Sequence, residues 1–133
     1  MRTVSQTAAK VLDTLTANME VGTSRHIGEK GGAFMQVVVE RLYGTHYSVS
    51  HYFEQNGDLC PDPDMEFYKT DSGAWLPINC TMPGAYTEAV RCDGKGKPMN
   101  YSPRALGDLC SFTTVWMRNI KEQQNLRSLP AAA

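Results

Sequence analysis

The sequence lacks any long hydrophobic segment: no run of apolar residues exceeds three, as in Val37-Val38-Val39. A membrane-spanning helix needs about 20 consecutive apolar residues. The first residues, Met1 to Gln6, also lack the apolar core of a secretory signal peptide. We therefore expect a cytoplasmic protein with no membrane partner.

An excess of charge of either sign is also missing. The chain has 13 basic and 14 acidic residues and a formal net charge of -1. Proteins that bind nucleic acid through a broad surface concentrate Lys and Arg there and carry a clear positive charge. The composition therefore disfavours nucleic acid as a partner.

Cysteine is scarce, and no two cysteines have the C-x-x-C spacing of redox or zinc motifs. The four residues are Cys60, Cys80, Cys92 and Cys110. This distribution favours free thiols buried in the core, with a disulfide or metal-binding set as the alternative. The sequence predicts no cofactor and no metal ligands from this pattern.

The length of 133 residues fits one domain with a substantial core. We predict a single α+β domain over residues 1–127. Residues 128–133, which end in three alanines, are interpreted as a tail that cloning could have added.

Apolar spacing predicts a helix at each end of this domain. Thr3 to Glu20 has a helical pattern with a Thr3/Gln6 capping box, and Ser102 followed by Pro103 begins a second helix that reaches about Asn125. Between the helices we predict an antiparallel meander of four to five strands, with both helices packed on one face of the sheet. The predicted strands are Phe34–Tyr43, Tyr47–Gln55, Met65–Lys69, Ala74–Cys80 and Tyr86–Arg91.

Glycine and proline set the predicted boundaries. Val21 to Ala33 contains several glycines and is interpreted as a loop. Leu59 to Pro63 is interpreted as an acidic loop because its two prolines cannot donate hydrogen bonds to a sheet. Pro77 is expected to make the fourth strand an edge strand or a bulged one.

The segment from His51 to Phe67 concentrates polar groups around a strong Asn56-Gly57 turn signal. Its carboxylates are Glu54, Asp58, Asp62, Asp64 and Glu66. Oxygen ligands at such spacing could hold Mg²⁺ or Ca²⁺, although the segment does not match an EF-hand loop. The alternative is that these side chains cap turns or lie in solvent.

Strand alternation divides the same segment between two faces. Val49, His51 and Phe53 are predicted to face the core, where the imidazole needs a partner, and Ser48, Ser50, Tyr52 and Glu54 to form a polar face. This separates His51 from Glu54, so they do not form an acid–base pair. The chain has no G-x-S-x-G or H-E-x-x-H motif, and we predict no catalytic residue. The candidate binding surface comprises His51, Tyr52, Glu54, Gln55, Asn56, Asp58, Asp62 and Asp64.

The run His51-Tyr52-x-Glu54-Gln55-Asn56-Gly57-Asp58, followed by Asp62-Pro63-Asp64-Met65, resembles the H-Y-x-E-Q-N-G-D and D-P-E-M signature of a bacterial family described only as a domain of unknown function. Asp64 stands where that family usually has Glu. The resemblance extends from about Phe34 to Gln124. It implies a setting on plasmids, conjugative elements or phages, among accessory and counter-defence genes, and it implies no activity or cofactor.

Two hypotheses of function follow. The first is a small, non-enzymatic accessory protein of a mobile element or phage that binds a protein partner, such as a host defence component. The alternative is a small metal-dependent enzyme, or a ligand- or nucleotide-binding protein, that uses the acidic hairpin. Whether the protein is a homodimer stays open.

Overall fold

Two α-helices, a six-stranded antiparallel sheet and a separate two-stranded hairpin make up the fold. The computed structural model describes residues 1–29 and 34–126, and for Glu54, Gln55, Leu59 and Pro61 it describes the backbone alone. The helices are α1 (Gln6–Thr16) and α2 (Pro103–Gln123). The sheet contains β1 (Ser24–Ile27), β2 (Val37–Tyr43), β3 (His46–Gln55), β4 (Asp58–Lys69), β5 (Trp75–Met82) and β6 (Ala85–Glu88), and the hairpin contains β7 (Val90–Cys92) and β8 (Pro98–Tyr101).

The sheet is a meander in which each strand pairs with the next along the chain, in the order β1 to β6. The α+β class and the antiparallel meander between terminal helices are confirmed. The predicted number of strands was too low. One additional strand, β1, lies within the segment expected to be a loop, whose residues 30–33 are outside the described part of the chain. The expected fifth strand is divided at Ala89 into β6 and β7, and β8 is a further strand that was not predicted.

The acidic segment is part of a strand and not the expected loop. From Asp58 onward the segment pairs with β3, and Pro61 lies opposite Tyr52. Only Asp64–Lys69 of β4 pairs with β5. The two prolines therefore lie where β4 has a neighbour on one side alone, and an edge position tolerates a missing N–H.

Pro77 occupies an interior strand, because β5 lies between β4 and β6. The expectation of an edge strand was wrong, and that of a bulge is confirmed by a register shift: Glu66 pairs with Asn79, whereas Phe67 pairs with Pro77. The bulge accommodates the proline, and Pro77 also lies outside the part of β5 that pairs with β6, which begins at Asn79.

Each helix begins at a serine cap. Ser102 caps α2 before Pro103, as predicted. Ser5, and not Thr3, caps α1 by accepting a hydrogen bond from the Ala8 N–H at 3.2 Å. Both helices bury one apolar stripe against the same sheet face, where the core contains Val49, Met65, Phe67 and Trp75 among other residues. No helix in the described part of the chain is long and apolar enough to cross a membrane.

The four cysteines are free thiols. Cys80 and Cys110 are buried as expected, whereas Cys60 and Cys92 are only half-buried. Burial raises the pKa of the Cys80 and Cys110 thiols, which favours their neutral form.

Candidate functional site: the open face of the sheet

The sheet face opposite the helices is formed by two rows of side chains that run across all six strands. We call this surface the open face. One row contains Ser24, Glu40, Ser48, Glu66, Asn79 and Glu88, and the next contains His26, Val38, Ser50, Asp64, Thr81 and Tyr86. Most of these side chains are exposed or half-buried, and Ser50 is the buried exception.

Three carboxylates lie near the middle of the open face. Glu40 belongs to β2, and Asp64 and Glu66 are alternate residues of β4. Burial raises the pKa of Asp64, and the negative charges of Glu40 and Glu66 raise it further. The free protein therefore holds like charges together, with Asp64 and Glu66 half-buried and Glu40 exposed, an arrangement that a cationic partner would relieve.

His46 is paired with Glu66 at the border of the open face. The His46 side chain is 2% exposed, and its Nδ1 lies 2.7 Å from Glu66 Oε2. His46 Nε2 donates to the carbonyl oxygen of Gly96 at 2.7 Å. A carbonyl and a carboxylate both accept, so both ring nitrogens donate and the ring is an imidazolium paired with a carboxylate. Burial lowers the pKa of His46, but the hydrogen bonds to Glu66 and Gly96 outweigh it and leave the pKa above its usual value.

Two tyrosines enclose the His46 ring. The Tyr43 ring stacks on it with centroids 4.4 Å apart, and the Tyr68 ring lies at 4.8 Å on a tilted plane. Stacking of a cation on aromatic faces is favourable. Because Gly96 lies in the turn between β7 and β8, these contacts fasten the small hairpin to the main sheet. His46 thus has a structural role.

His51 lies on the opposite face, among core residues, as alternation predicted. Trp116 Nε1 donates to His51 Nδ1 at 3.4 Å, and the two rings meet edge to face. The ring proton is therefore on Nε2, which is buried and has no hydrogen-bond partner among the described residues. Burial lowers the pKa of His51, against an opposing effect of Asp62.

The remaining candidate residues are spread along the β3–β4 hairpin. Asn56 and Asp58 are exposed at its turn, where Asn56 (φ 54°) and Gly57 (φ 85°) adopt the positive φ that the Asn-Gly signal predicted. Tyr52 and Asp62 are half-buried further along. The side chains of Glu54 and Gln55 are outside the described part of the structure.

Among the candidates whose side chains the structure describes, Asp64 is thus the one that lies beside other carboxylates. Within residues 1–29 and 34–126, no three His, Cys, Asp or Glu side chains are grouped so that they could hold a metal ion. The six candidates with described side chains are divided between the core face, the open face, the hairpin turn and half-buried positions of the β3–β4 hairpin: His51, Asp64, Asn56 with Asp58, and Tyr52 with Asp62, respectively.

The sequence reasoning missed Glu40 and His46. Alternation along β3 places His46 on the same face as Ser48 and Ser50, which were predicted to form a polar face, so the signal was present for this residue. Glu40 becomes part of the site through the register between β2 and β3, which pairs it with Ser48. No local pattern indicates that pairing.

Residues 6–126 match a protein family described as "Domain of unknown function (DUF6908)". The chain belongs to this family. No curated protein matches the chain, and no solved structure matches it. The matched range includes both helices and all eight strands, so the whole described fold is the DUF6908 domain.

Proposed function

We propose that this DUF6908 domain is a non-enzymatic binding protein whose open face docks a basic segment of a protein partner. The observation that carries the proposal is the group of Glu40, Asp64 and Glu66, whose mutual repulsion raises the pKa of Asp64 beyond the effect of burial. Like charges close to the half-buried Asp64 carboxylate destabilise the free fold. A partner that brings positive charge converts this repulsion into attraction.

The spacing of the carboxylates favours a polypeptide over a single ion. Neighbouring strands lie about 4.8 Å apart, and β3 separates Glu40 on β2 from Glu66 on β4. Their backbones are therefore roughly 10 Å apart, and among the described residues these carboxylates are not grouped so that they could hold one metal ion. Lys or Arg side chains of one segment could reach Glu40 and Asp64 separately, whereas Glu66 is already paired with His46.

The state of His46 supports binding without catalysis. Both of its ring nitrogens are engaged, by Glu66 and by Gly96. An acid–base catalyst needs a nitrogen that can exchange a proton with a substrate. His46 offers none while the small hairpin is in place.

The class of partner comes from the resemblance to mobile-element proteins. We extend the proposal to a host defence component as the partner, with an accessory protein of a phage or plasmid as the setting. A basic surface on such a component is a common feature of proteins that bind nucleic acid, and an acidic sheet face would compete for it.

Charge reversal on the open face tests the proposal. We would compare the wild type with a Glu40→Lys/Asp64→Lys variant, and with Glu40→Gln/Asp64→Asn in case reversal perturbs folding. The matched control is Asp108→Lys/Glu122→Lys, which alters two exposed carboxylates of α2 on the other side of the molecule. Circular dichroism would establish that each variant is folded.

The measurement is affinity capture from lysate of a bacterial host, with mass spectrometry, alongside a plaque assay in cells that carry a defence system. We expect the wild type and the control to capture a basic protein, and both open-face variants to lose it. In the plaque assay, the wild type and the control should protect the phage from the defence system, and both open-face variants should not. Equal capture by the reversed variant would exclude the open face as the binding surface.

A further inference from the structure

The turn of the small hairpin, residues 93–97, meets the border of the open face at a single buried residue. All of the turn residues are exposed except Gly96. Gly96 lies against the rings of Tyr43 and His46, and its carbonyl oxygen accepts the hydrogen bond from His46 Nε2 at 2.7 Å. The contact between His46 and Gly96 is therefore the main attachment of this turn.

The base of the small hairpin is attached to the sheet independently of His46. Ala89, which precedes β7, donates its N–H to the Ile78 carbonyl at 2.8 Å. Its own carbonyl accepts from the N–H of Ser102, which follows β8, at 2.9 Å. Val90, the first residue of β7, is buried. The base is thus fixed whatever the state of the turn.

Apart from Gly96, one side chain of the turn contacts the sheet. Lys97 Nζ donates to the Tyr68 hydroxyl at 3.3 Å and lies 3.9 Å from an Asp71 carboxylate oxygen. The Lys97 and Asp71 side chains are both exposed, and such contacts contribute little. Within residues 1–29 and 34–126, the turn makes no other hydrogen bond to the sheet. It can therefore move about its base once the Gly96 contact is lost.

The charge of His46 decides whether its contacts with Glu66 and Gly96 can both exist. Each contact requires an N–H of the ring, because carboxylate and carbonyl oxygens only accept, and a neutral imidazole has one N–H. The hydrogen bond to the Glu66 carboxylate is the stronger of the two, so the proton that leaves for solvent is the one on Nε2. A nitrogen lone pair then faces the Gly96 carbonyl oxygen, and their contact becomes repulsive.

The groups around His46 favour the charged ring while the turn is docked. Glu66 on β4 pairs with it, and the rings of Tyr43 on β2 and Tyr68 on β4 present aromatic faces to it. From the turn, the charge of Lys97 opposes it. Burial lowers the pKa of His46, but the hydrogen bonds raise it above the ordinary 6.5. The turn is therefore docked below pH 6.5 and loses its attachment as the pH rises through this raised pKa.

The same proton controls the charge of the open face. The Glu66 side chain is 21% exposed, so a partner on the open face can reach it. While His46 is charged, it neutralises Glu66. Once the proton has left, Glu66 adds an uncompensated negative charge beside Asp64, and a basic segment is attracted more strongly.

We propose that the proton on His46 regulates the open face. With the proton, the small hairpin is docked and Glu66 is neutralised. Without it, the turn is released and Glu66 joins Glu40 and Asp64 in binding the basic segment of the partner. This inference rests on the proposed function and adds its regulation by pH. Because coupling between two binding events is reciprocal, a bound basic segment also weakens the affinity of His46 for its proton.

NMR spectroscopy of the unaltered protein tests the release of the turn without a ligand. A Cβ added at Gly96 would lie 2.9 Å from Tyr43 Cε2, so a Gly96 Hα lies beside that ring and gives a nuclear Overhauser contact with it. We expect this contact to disappear as His46 titrates in the same sample, while contacts between the core residues Phe67 and Trp75 persist. A Gly96–Tyr43 contact that survives the loss of the His46 proton would overturn the inference.

Fluorescence anisotropy at constant ionic strength tests the effect on binding. The probe is a short peptide that alternates lysine with serine, and an alternating glutamate–serine peptide is the charge control. We expect the wild type to bind the lysine peptide about fivefold more tightly once His46 has lost its proton, a coupling of ordinary size. Burial raises the pKa of Asp64 as well, so the ionisation of Asp64 adds a separate gain in affinity.

Two histidine variants separate these effects. His46→Gln keeps a hydrogen-bond donor and removes the charge, so it should lack the fivefold change and keep the gain that belongs to Asp64. His26→Gln removes the exposed histidine of the open face and should keep the fivefold change. An undiminished change in His46→Gln would assign the pH dependence to other groups and contradict the inference.

The outcomes distinguish this inference from the proposed function. If Glu40→Lys/Asp64→Lys abolishes peptide binding but the affinity of the wild type shows no step at the His46 titration, the open face binds the segment and its regulation by His46 is wrong. If the lysine peptide binds the wild type no better than the glutamate peptide at any pH, the proposed function fails, and the regulation fails with it.

Discussion

At the scale of single residues, Gly96 shows how closely the small hairpin fits the main sheet. Its φ is +80°, and an added Cβ would lie 2.9 Å from Tyr43 Cε2 and 3.1 Å from His46 Nε2. Both the backbone conformation and the contact with the rings require glycine at this position.

Gly96→Ala should therefore destabilise the protein by about 2 kcal/mol or more, since it combines an unfavourable positive φ with displacement of the His46 ring. Gly94 in the same turn has no positive φ, and a Cβ added there would meet nothing within 4 Å, so Gly94→Ala is the matched control. Urea unfolding would give the free energy of unfolding for each variant. Equal losses at the two positions would contradict the account of Gly96.

At the scale of elements, the end of α1 is attached to the sheet by arginine side chains. Arg25 on β1 donates to the carbonyl oxygens of Leu15 at 2.9 Å and Ala17 at 2.6 Å. Arg41 on β2 donates to the carbonyl oxygen of Met19 at 2.7 Å. The last carbonyls of a helix lack partners within it, and a cation there also interacts favourably with the helix dipole.

Arg25→Met keeps much of the apolar stem and removes both hydrogen bonds, so we expect a loss of about 1–2 kcal/mol of stability. Amide exchange in the last turn of α1 should become faster. Arg104→Met is the control, because Arg104 is exposed on α2 and makes no hydrogen bond or ion pair within the described residues. Unchanged exchange in α1 of the Arg25 variant would show that packing alone holds this helix end.

At the scale of the whole molecule, the two buried histidines respond to pH in opposite directions. The pKa of His46 is raised above its ordinary value of 6.5, so its contribution to stability is complete below pH 6.5 and disappears as the pH rises through the folded-state pKa. The pKa of His51 is lowered, so stability is lost as the pH falls from 6.5 toward its folded-state pKa.

The histidines together predict a maximum of stability near pH 6.5, the ordinary pKa from which both are shifted. Thermal unfolding across the range from acid to mildly alkaline pH would measure it. His46→Gln should flatten the alkaline side of the profile, and His51→Gln the acidic side. A profile whose two sides keep their slopes in both variants would show that other groups govern the pH dependence.

Local signals in the sequence predicted much of the fold. The Ser102-Pro103 start of α2, the Asn56-Gly57 turn and the inward direction of His51 depend on neighbouring residues, and all three are confirmed. The strand through Pro61 was missed. A strand accepts a proline there because β5 ends before it reaches Pro61, and no local pattern in the sequence indicates where β5 ends.

The candidate site was less predictable, because it depends on register and on distant contacts. Glu40, Ser48 and Glu66 become neighbours only through the pairing of three strands. His46 meets the Gly96 carbonyl across 50 positions of sequence. Alternation could identify the face to which each residue belongs, but not its neighbours on that face.

The order of the meander has a consequence for synthesis on the ribosome. Each strand can pair with its predecessor as soon as it emerges, because sheet order follows chain order. The first element, α1, can cover part of the apolar face that holds Val49, Met65 and Phe67, but the rest of that face stays exposed until α2, the last element of the described chain, is made. A nascent chain that has completed its sheet but not α2 therefore presents an apolar surface to chaperones and to other chains.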